Sequence, residues 1–210
     1  MGMLDESKTI SGIPIHRVMT FHEYLTCIED LFHQGLATGN HQGEDYLEYT
    51  KMNLQRMHRW EKTYHPSEAM LESLSRIQQN QRWYIITEGW CGDSAQNLVA
   101  IERIASSSSL VTTHYLFRDE NPAWIERFHT EGAHSIPKVI IVNDQDEVIS
   151  IWGPRPSGAV QAIAEWKAKD IPLATWKPLL HKWYADDKQH TLELDFIQII
   201  QHQIAQHATK

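Results

Sequence analysis

Cys91 and Ser94 stand three residues apart in the run Thr87-Glu88-Gly89-Trp90-Cys91-Gly92-Asp93-Ser94. A cysteine thiolate attacks disulfides and other electrophiles, and a serine hydroxyl one helical turn away can donate a hydrogen bond to it. Gly92 leaves space beside the sulfur, and Trp90 can give the site an apolar wall. These residue types point to nucleophilic sulfur chemistry centred on Cys91.

The flanking sequence supplies the elements that would position this pair. Trp83–Thr87 is a nearly unbroken run of aromatic and β-branched residues, the pattern of a strand covered on both faces. Beyond the turn, Leu98, Ile101 and Ala105 recur at helical spacing, so Ser94–Ala105 is expected to be an amphipathic helix. Cys91 then falls within the first helical turn, where free N–H groups and the helix dipole favour an anion. Such positions can lower a cysteine pKa from ~8.5 to roughly 3.5–7.5.

The remaining chain divides by its periodicity and its breakers. Phe21, Tyr24, Leu25, Ile28, Leu31 and Phe32 form a helical stripe that ends at Gly35, with Cys27 beside it. Cys27 is either a small buried thiol or a distant resolving thiol for Cys91. After a loop at 39–43, a long helix is expected over Glu44–Tyr64, carrying Arg56 and Arg59 on or near it. These two arginines either pair and snorkel or help to hold an anion or the thiolate. Pro66 suits the first turn of a third helix. Val111–Phe117 reads as a second strand, Pro122–His129 as a helix, Lys138–Val142 and Val148–Trp152 as a hairpin, and Ser157–Lys169 as a further helix. Pro172 and Pro178 then break the chain, helices are expected at Pro178–Tyr184 and Thr191–Gln206, and the apolar face of the last must be buried, on its own core or on a second subunit.

The Trp90–Ser94 turn after a buried strand, followed by those elements and by Ser135-Ile136-Pro137-Lys138, resembles the thioredoxin superfamily over roughly residues 82–169. More narrowly, the turn, the later Ile-Pro-Lys, the Trp152–Pro156 run and the segment Asn53–Trp60 are similar to a bacterial thioredoxin-like family with a helical N-terminal extension. The resemblance implies an α/β thioredoxin-like fold, a central mixed four-stranded sheet flanked by helices, with helical extensions at both ends. The implied segments are 1–80 (N-terminal extension), 81–170 (core) and 171–210 (C-terminal extension), forming one compact unit. It also implies a cis peptide at Pro137, with the backbone of Ile136 facing the substrate. Arg155, between two prolines, would lie on the same rim, where it either presents its guanidinium to a carboxylate or is a solvated residue in a rigid connector.

The departures from the superfamily pattern bear on mechanism. Ser94 stands where the resolving cysteine usually stands, so the intramolecular disulfide is lost. Ile85 stands where a buried acid usually serves proton transfer; Glu88 and Asp93 are either its substitutes or ordinary surface carboxylates. His134 is either a proton carrier near the sulfur or a loop residue in solvent. The expected activity is therefore monothiol thiol–disulfide exchange or isomerisation, with Cys91 and Ser94 catalytic and Trp90, Gly92, Asp93, Ile136, Pro137 and Arg155 binding substrate. Partners would be thiols and disulfides of proteins or small molecules. The alternative is a non-catalytic binding or adaptor module of the same fold.

Composition excludes several other classes. With 41% hydrophobic and 22% charged residues the chain is of globular type, and its formal net charge of −8 disfavours nucleic acid. The thirteen histidines are scattered without zinc-ligand spacing, and no phosphate-cradling glycine loop occurs, so no metal or cofactor is expected. Two cysteines and no basic-then-apolar leader fit a reducing cytoplasm, and no apolar run approaches the ~20 residues of a membrane span.

Overall fold

In the computed structural model, which describes residues 9–208, the sheet grows outward from the buried run before Cys91. Strand β1 (Gln81–Thr87) pairs in parallel with β2 (Val111–Phe117) and antiparallel with β3 (Lys138–Val142), which pairs antiparallel with β4 (Val148–Trp152). The order β2-β1-β3-β4 makes a mixed four-stranded sheet with β1 inside it. Ile85 lies opposite Tyr115 on one side and Val139 on the other.

Alternation along the strands sends side chains into two separate cores. Trp83, Ile85, Val139 and Ile141 pack with Leu98 and Ile101 of α4 (Gly92–Ser106) and Phe196 of α8 (His190–Ala208). Tyr84, Ile86, Ile140 and Val142 pack on the other face with Trp124 and Ile125 of α5 (Pro122–Arg127) and with Phe128 beyond it. Burial on both faces explains why β1 reads as a continuous apolar run.

The helices of the N-terminal extension and α8 of the C-terminal one close over the α4 side of the sheet, while Ile10 and Ile13 pack on the α5 side. Helix α1 (Phe21–His33) begins at a reciprocal cap in which the Thr20 side chain accepts from the Glu23 N–H and Glu23 reaches back to the Thr20 N–H. Helix α2 (Glu44–Thr63) lies against α4. Helix α3 (Glu68–Leu74) is capped by Ser67, which accepts from the Met70 N–H, so Pro66 stands outside the first turn, one residue ahead of the cap. Helix α6 (Ser157–Ala168) is followed by a short 3-10 turn (Leu173–Thr175), then α7 (Trp176–Asp187) and α8. The apolar face of α8 is covered by its own chain: Leu192, Phe196 and Ile200 are fully buried, and the Phe196 ring stacks on Trp83 at 5.0 Å. Glu193 of α8 accepts from the Tyr64 hydroxyl at 2.7 Å and from the Ser67 N–H and hydroxyl, tying the last helix to the N-terminal extension.

Strand boundaries at β2, β3 and β4 match the sequence expectation, and helix boundaries shift by one to three residues as ends fray or caps intervene. Cys91 is the N-cap of α4, one residue outside the helix proper. Among the described residues no helix is long and apolar enough to cross a membrane.

Candidate active site

The turn between β1 and α4 fixes Cys91 from both sides. Its N–H donates to the Glu88 carbonyl at 3.2 Å and its carbonyl receives the Ala95 N–H at 3.1 Å. The sulfur meets the strand that carries Pro137: Cys91 Sγ donates to the Ile136 carbonyl at 3.3 Å, and the Ile136–Pro137 peptide is cis. A second cis peptide, Gly153–Pro154, lies beside it. Gly153 has φ +106°, and a Cβ there would overlap the Pro137 carbonyl oxygen, so this loop needs glycine to reach the Pro137 strand.

Cys91 is 9% exposed, and its protonation state is decided by burial. Loss of water pushes the thiol up to about 11, and the Asp93 carboxylate pushes in the same direction. The Ser94 hydroxyl and the N–H groups of Ser94 and Asp93 favour the thiolate but do not offset the burial. The expectation of a lowered thiol is thus reversed: a helix N-terminus lowers a cysteine pKa when the sulfur is partly wet, and this one is nearly dry. At neutral pH the resting side chain is a thiol donating to Ile136.

Ser94 belongs to a line of buried hydroxyls. The Thr87 hydroxyl donates to Ser94 Oγ at 2.8 Å, and the Tyr24 hydroxyl lies 3.2 Å from Thr87 Oγ1. This line runs from α1 through β1 to the first turn of α4, with Ser94 as the member that reaches the sulfur.

Asp93 and Arg155 meet each other. Arg155 Nη2 lies 2.6 Å from Asp93 Oδ2, and the Tyr184 hydroxyl of α7 donates to Asp93 Oδ1 at 3.0 Å. Burial opposes the Arg155 charge, and Asp93, joined by Tyr184 and Cys91, more than restores it. The carboxylate that Arg155 addresses is therefore the chain's own, and Asp93 is not an ordinary surface acid. Arg155 Nε stays buried without a hydrogen-bond partner.

Trp90 walls the site from beneath the loop at 36–43. Its indole N–H donates to the Thr38 carbonyl at 3.2 Å, His41 and Tyr46 meet it edge-on, and the Arg118 guanidinium lies 4.9 Å from its ring centre. Glu88 stands behind this wall, fully buried, and accepts from the Asp119 N–H at 3.0 Å. Burial raises its carboxyl to about 7, opposed by hydrogen bonds from Thr38 and Asp119, while Oε2 has no partner. Of the two openings for Glu88, the ordinary surface carboxylate is excluded.

Other candidates fall away from the sulfur. His134 is exposed and pairs with Glu126 at 2.8 Å, which is the loop alternative. Cys27 is half-buried against the α4-side core with its sulfur 3.2 Å from Arg17 Nη2, whereas Cys91 packs in the core on the α5 side, and both thiols are free. The residues that sequence reasoning missed come from the ends of the chain. Tyr184, Lys177 and His181 of α7 line cavities that Gly92 also lines, and Tyr24 supplies the far end of the hydroxyl line. Nothing local marks them; only tertiary contact brings position 184 to position 93. Among the described residues no three His, Cys, Asp or Glu side chains converge as a metal site.

Two solved structures are similar to the chain in fold. A protein of unknown function from Pseudomonas aeruginosa, 18% identical, aligns with TM-score 0.55 over 88% of this chain and 98% of its own. An HIV epitope-scaffold, also 18% identical, aligns with TM-score 0.53 over 88% of this chain and 99% of its own. At that identity the likeness concerns the fold alone. No curated protein matches the chain. A thioredoxin family model matches residues 39–167, more than half of the chain, with the Cys91 turn, the Pro137 strand and the Arg155 loop all inside the match. The chain belongs to the thioredoxin family.

Proposed function

We propose that the protein carries out monothiol thiol–disulfide exchange at Cys91. The observation that supports this best is the placement of Cys91 Sγ at the N-cap of α4, 3.3 Å from the carbonyl that precedes a cis proline. Cys91 loses its proton to solvent, and the thiolate attacks one sulfur of a disulfide R–S–S–R′. The S–S bond breaks, Cys91–S–S–R forms, and R′–S⁻ leaves and takes up a proton. Ser94 holds the thiolate while it exists. With serine at position 94, an outside thiol must resolve the adduct by a second exchange of the same kind.

The high resting pKa shapes this cycle. A sulfur with a high thiol pKa is a poor leaving group, and a dry site disfavours the thiolate more than the neutral mixed disulfide. The adduct at Cys91 is then slow to form at neutral pH and slow to be released, as suits isomerisation or carriage of a bound thiol. We assign the narrower likeness, a bacterial family with a Trp-Cys-Gly-Asp-Ser turn, and a reducing cytoplasm as parts of this same reading. Asp93, paired with Arg155 and Tyr184, shapes the groove rather than contacting substrate.

The test is intact-mass detection of adducts after mixing the reduced protein with hydroxyethyl disulfide. One adduct that persists in Cys27→Ser, vanishes in Cys91→Ser and is discharged by added thiol is the expected result. A folded protein whose Cys91 takes up no disulfide at any pH up to 10 would overturn the exchange reading. It would favour the adaptor alternative, which the buried, protonated sulfur also suits.

A further inference from the structure

The groove that opens onto Cys91 is positively charged, in a protein whose formal net charge is −8. Its volume is about 320 Å³, and its walls are α2 and α7. Arg56 lines it from α2, Lys177 and His181 line it from α7, and no carboxylate is among the lining residues. Arg56 is half-buried and held by neutral groups only: Nη1 donates to Asn53 Oδ1 at 3.0 Å and Nη2 lies 3.2 Å from Met52 Sδ. Asn53 in turn donates to the Gly89 carbonyl at 2.9 Å, so the guanidinium is oriented on the turn that carries the sulfur. Lys177 Nζ lies 4.0 Å from the centre of the Tyr49 ring. Among the described residues none of these three side chains has a carboxylate within ion-pair distance.

A half-buried charge with no counter-charge is unfavourable, and the protein bears that cost here. Burial and Arg59 push Arg56 below its ordinary range, and burial, Arg56 and Lys177 do the same to His181. Asp93, whose carboxylate opposes both of these shifts, is already bound by Arg155 and Tyr184. On the far side of Gly92 a second cavity of about 480 Å³ shares Lys177 and His181 and adds Arg155, whose Nε lacks a partner. Compartments of this size take a small molecule, and Cys91 itself is only 9% exposed.

We propose that Arg56, Lys177 and His181 form an anion-recognition site that draws low-molecular-weight, carboxylate-bearing disulfides onto Cys91. This rests on the exchange chemistry assigned to Cys91 and names its substrate class. The step is the one already balanced: the incoming disulfide is the oxidant, one of its halves stays on Cys91, and the other leaves as an anionic thiol. Arg56 and Lys177 hold the carboxylates, and His181 donates a hydrogen bond or takes up a proton as the anion arrives.

The experiment uses the full chain as Cys27→Ser, with three small disulfides that differ in charge: dithiodiglycolate (anionic), hydroxyethyl disulfide (neutral) and cystamine (cationic). Each rate of adduct formation is divided by the rate of the same disulfide with a simple free thiol. The anionic reagent is expected to exceed the cationic one by about tenfold or more at low ionic strength, and added salt should shrink the ratio. Lys177→Glu, an exposed position, should bring the ratio towards one or invert it, and Arg56→Gln should lower it independently. In parallel, Cys91→Ser is titrated with dithiodiglycolate and with cystamine while the His181 and Trp90 resonances are followed. Saturable shifts with the anion alone are expected. Equal normalised rates for the three reagents, together with no anion preference in Cys91→Ser, would overturn the anion site and leave the exchange reading standing. Selective anion binding by Cys91→Ser, with no adduct from any reagent in the parent, would uphold the site and overturn the exchange reading.

Discussion

At Cys91 two opposing effects meet, and their balance sets what the site does. The N-terminus of α4 and the Ser94 hydroxyl favour the thiolate, whereas removal of water favours the thiol and wins, leaving the group at about 11. Alkylation of Cys91 in Cys27→Ser should therefore climb steadily from pH 7 to beyond pH 10, without a plateau near neutrality. Ser94→Ala, which removes one donor to the thiolate, should slow alkylation at a fixed pH by several-fold. Thr87→Val, which leaves the Ser94 hydroxyl without its neighbour in the buried line, should do so less. A profile that levels off below pH 8 would mean that burial does not govern this sulfur.

Glu88 presents the same physics, and for this group it translates into a dependence of stability on pH. Its folded-state pKa of about 7 lies above the ordinary carboxylate value of 4.5, so the folded chain holds the proton more tightly than the unfolded chain. Stability from this group is fully present below about pH 4.5 and falls as the pH rises through about 7, by roughly 3 kcal/mol when complete. Glu88→Gln keeps an oxygen for the Thr38 and Asp119 donors and removes the charge. Urea midpoints should then be higher for Glu88→Gln than for the parent at pH 8 and nearly equal at pH 4.5. Parallel pH dependence in the two proteins would contradict the assignment.

At the scale of elements, what was legible in the sequence is what local patterning controls. β1 announces itself because both its faces are buried, and the apolar run records that directly. The bounds of β2, β3 and β4 follow from turn chemistry at Ser106–Ser109 and Asp144–Glu147. Helix α3 starts at Glu68, not in a first turn containing Pro66, because Ser67, with its hydroxyl accepting from the Met70 N–H, sets the boundary. Of the candidate site, Cys91, Ser94, Trp90, Ile136 and Pro137 are legible in the sequence and lie together in the structure, because their turn and strand are short-range signals. Asp93 and Arg155 read as groove residues in the sequence, but their mutual pairing is not visible there, since nothing in two separated segments states that they meet. The contribution of α7 was hidden for the same reason. Glu193 is a further long-range contact without a local sign, and it holds α8 to Tyr64 and Ser67. Glu193→Ala should lower unfolding free energy by about 2–3 kcal/mol, because hydrogen bonds to a charged acceptor are lost and the Tyr64 hydroxyl is left buried without it. A urea series measures this, and a change under 0.5 kcal/mol, the range of a neutral surface substitution, would mean that α8 is held by its apolar face alone.

For the molecule as a whole, helices from both ends of the chain are added to the sheet and its flanking helices, and both ends contribute to the surroundings of the sulfur. The N-terminal helices supply Tyr24, Asn53 and Arg56, and the C-terminal helices supply Lys177, His181 and Tyr184. The C-terminal piece also completes the core, since Phe196 stacks on Trp83 of the central strand and Leu192 and Ile200 are buried with it. An autonomous core would survive loss of that piece; a core finished by α8 would not. Ending the chain at residue 170 removes three fully buried apolar side chains, each worth about 2–5 kcal/mol on truncation in comparable cores. That sum exceeds a typical domain stability of about 5–15 kcal/mol at its lower end and consumes much of it at its upper end. The fragment 1–170 should therefore lose cooperative unfolding and expose the Trp83 face to a hydrophobic dye, while the single substitution Phe196→Ala should keep the fold with a lowered urea midpoint. A fragment 1–170 that unfolds cooperatively with an unchanged midpoint would make the C-terminal piece an independent appendage, and Lys177 and His181 would then need another reason to stand beside Cys91.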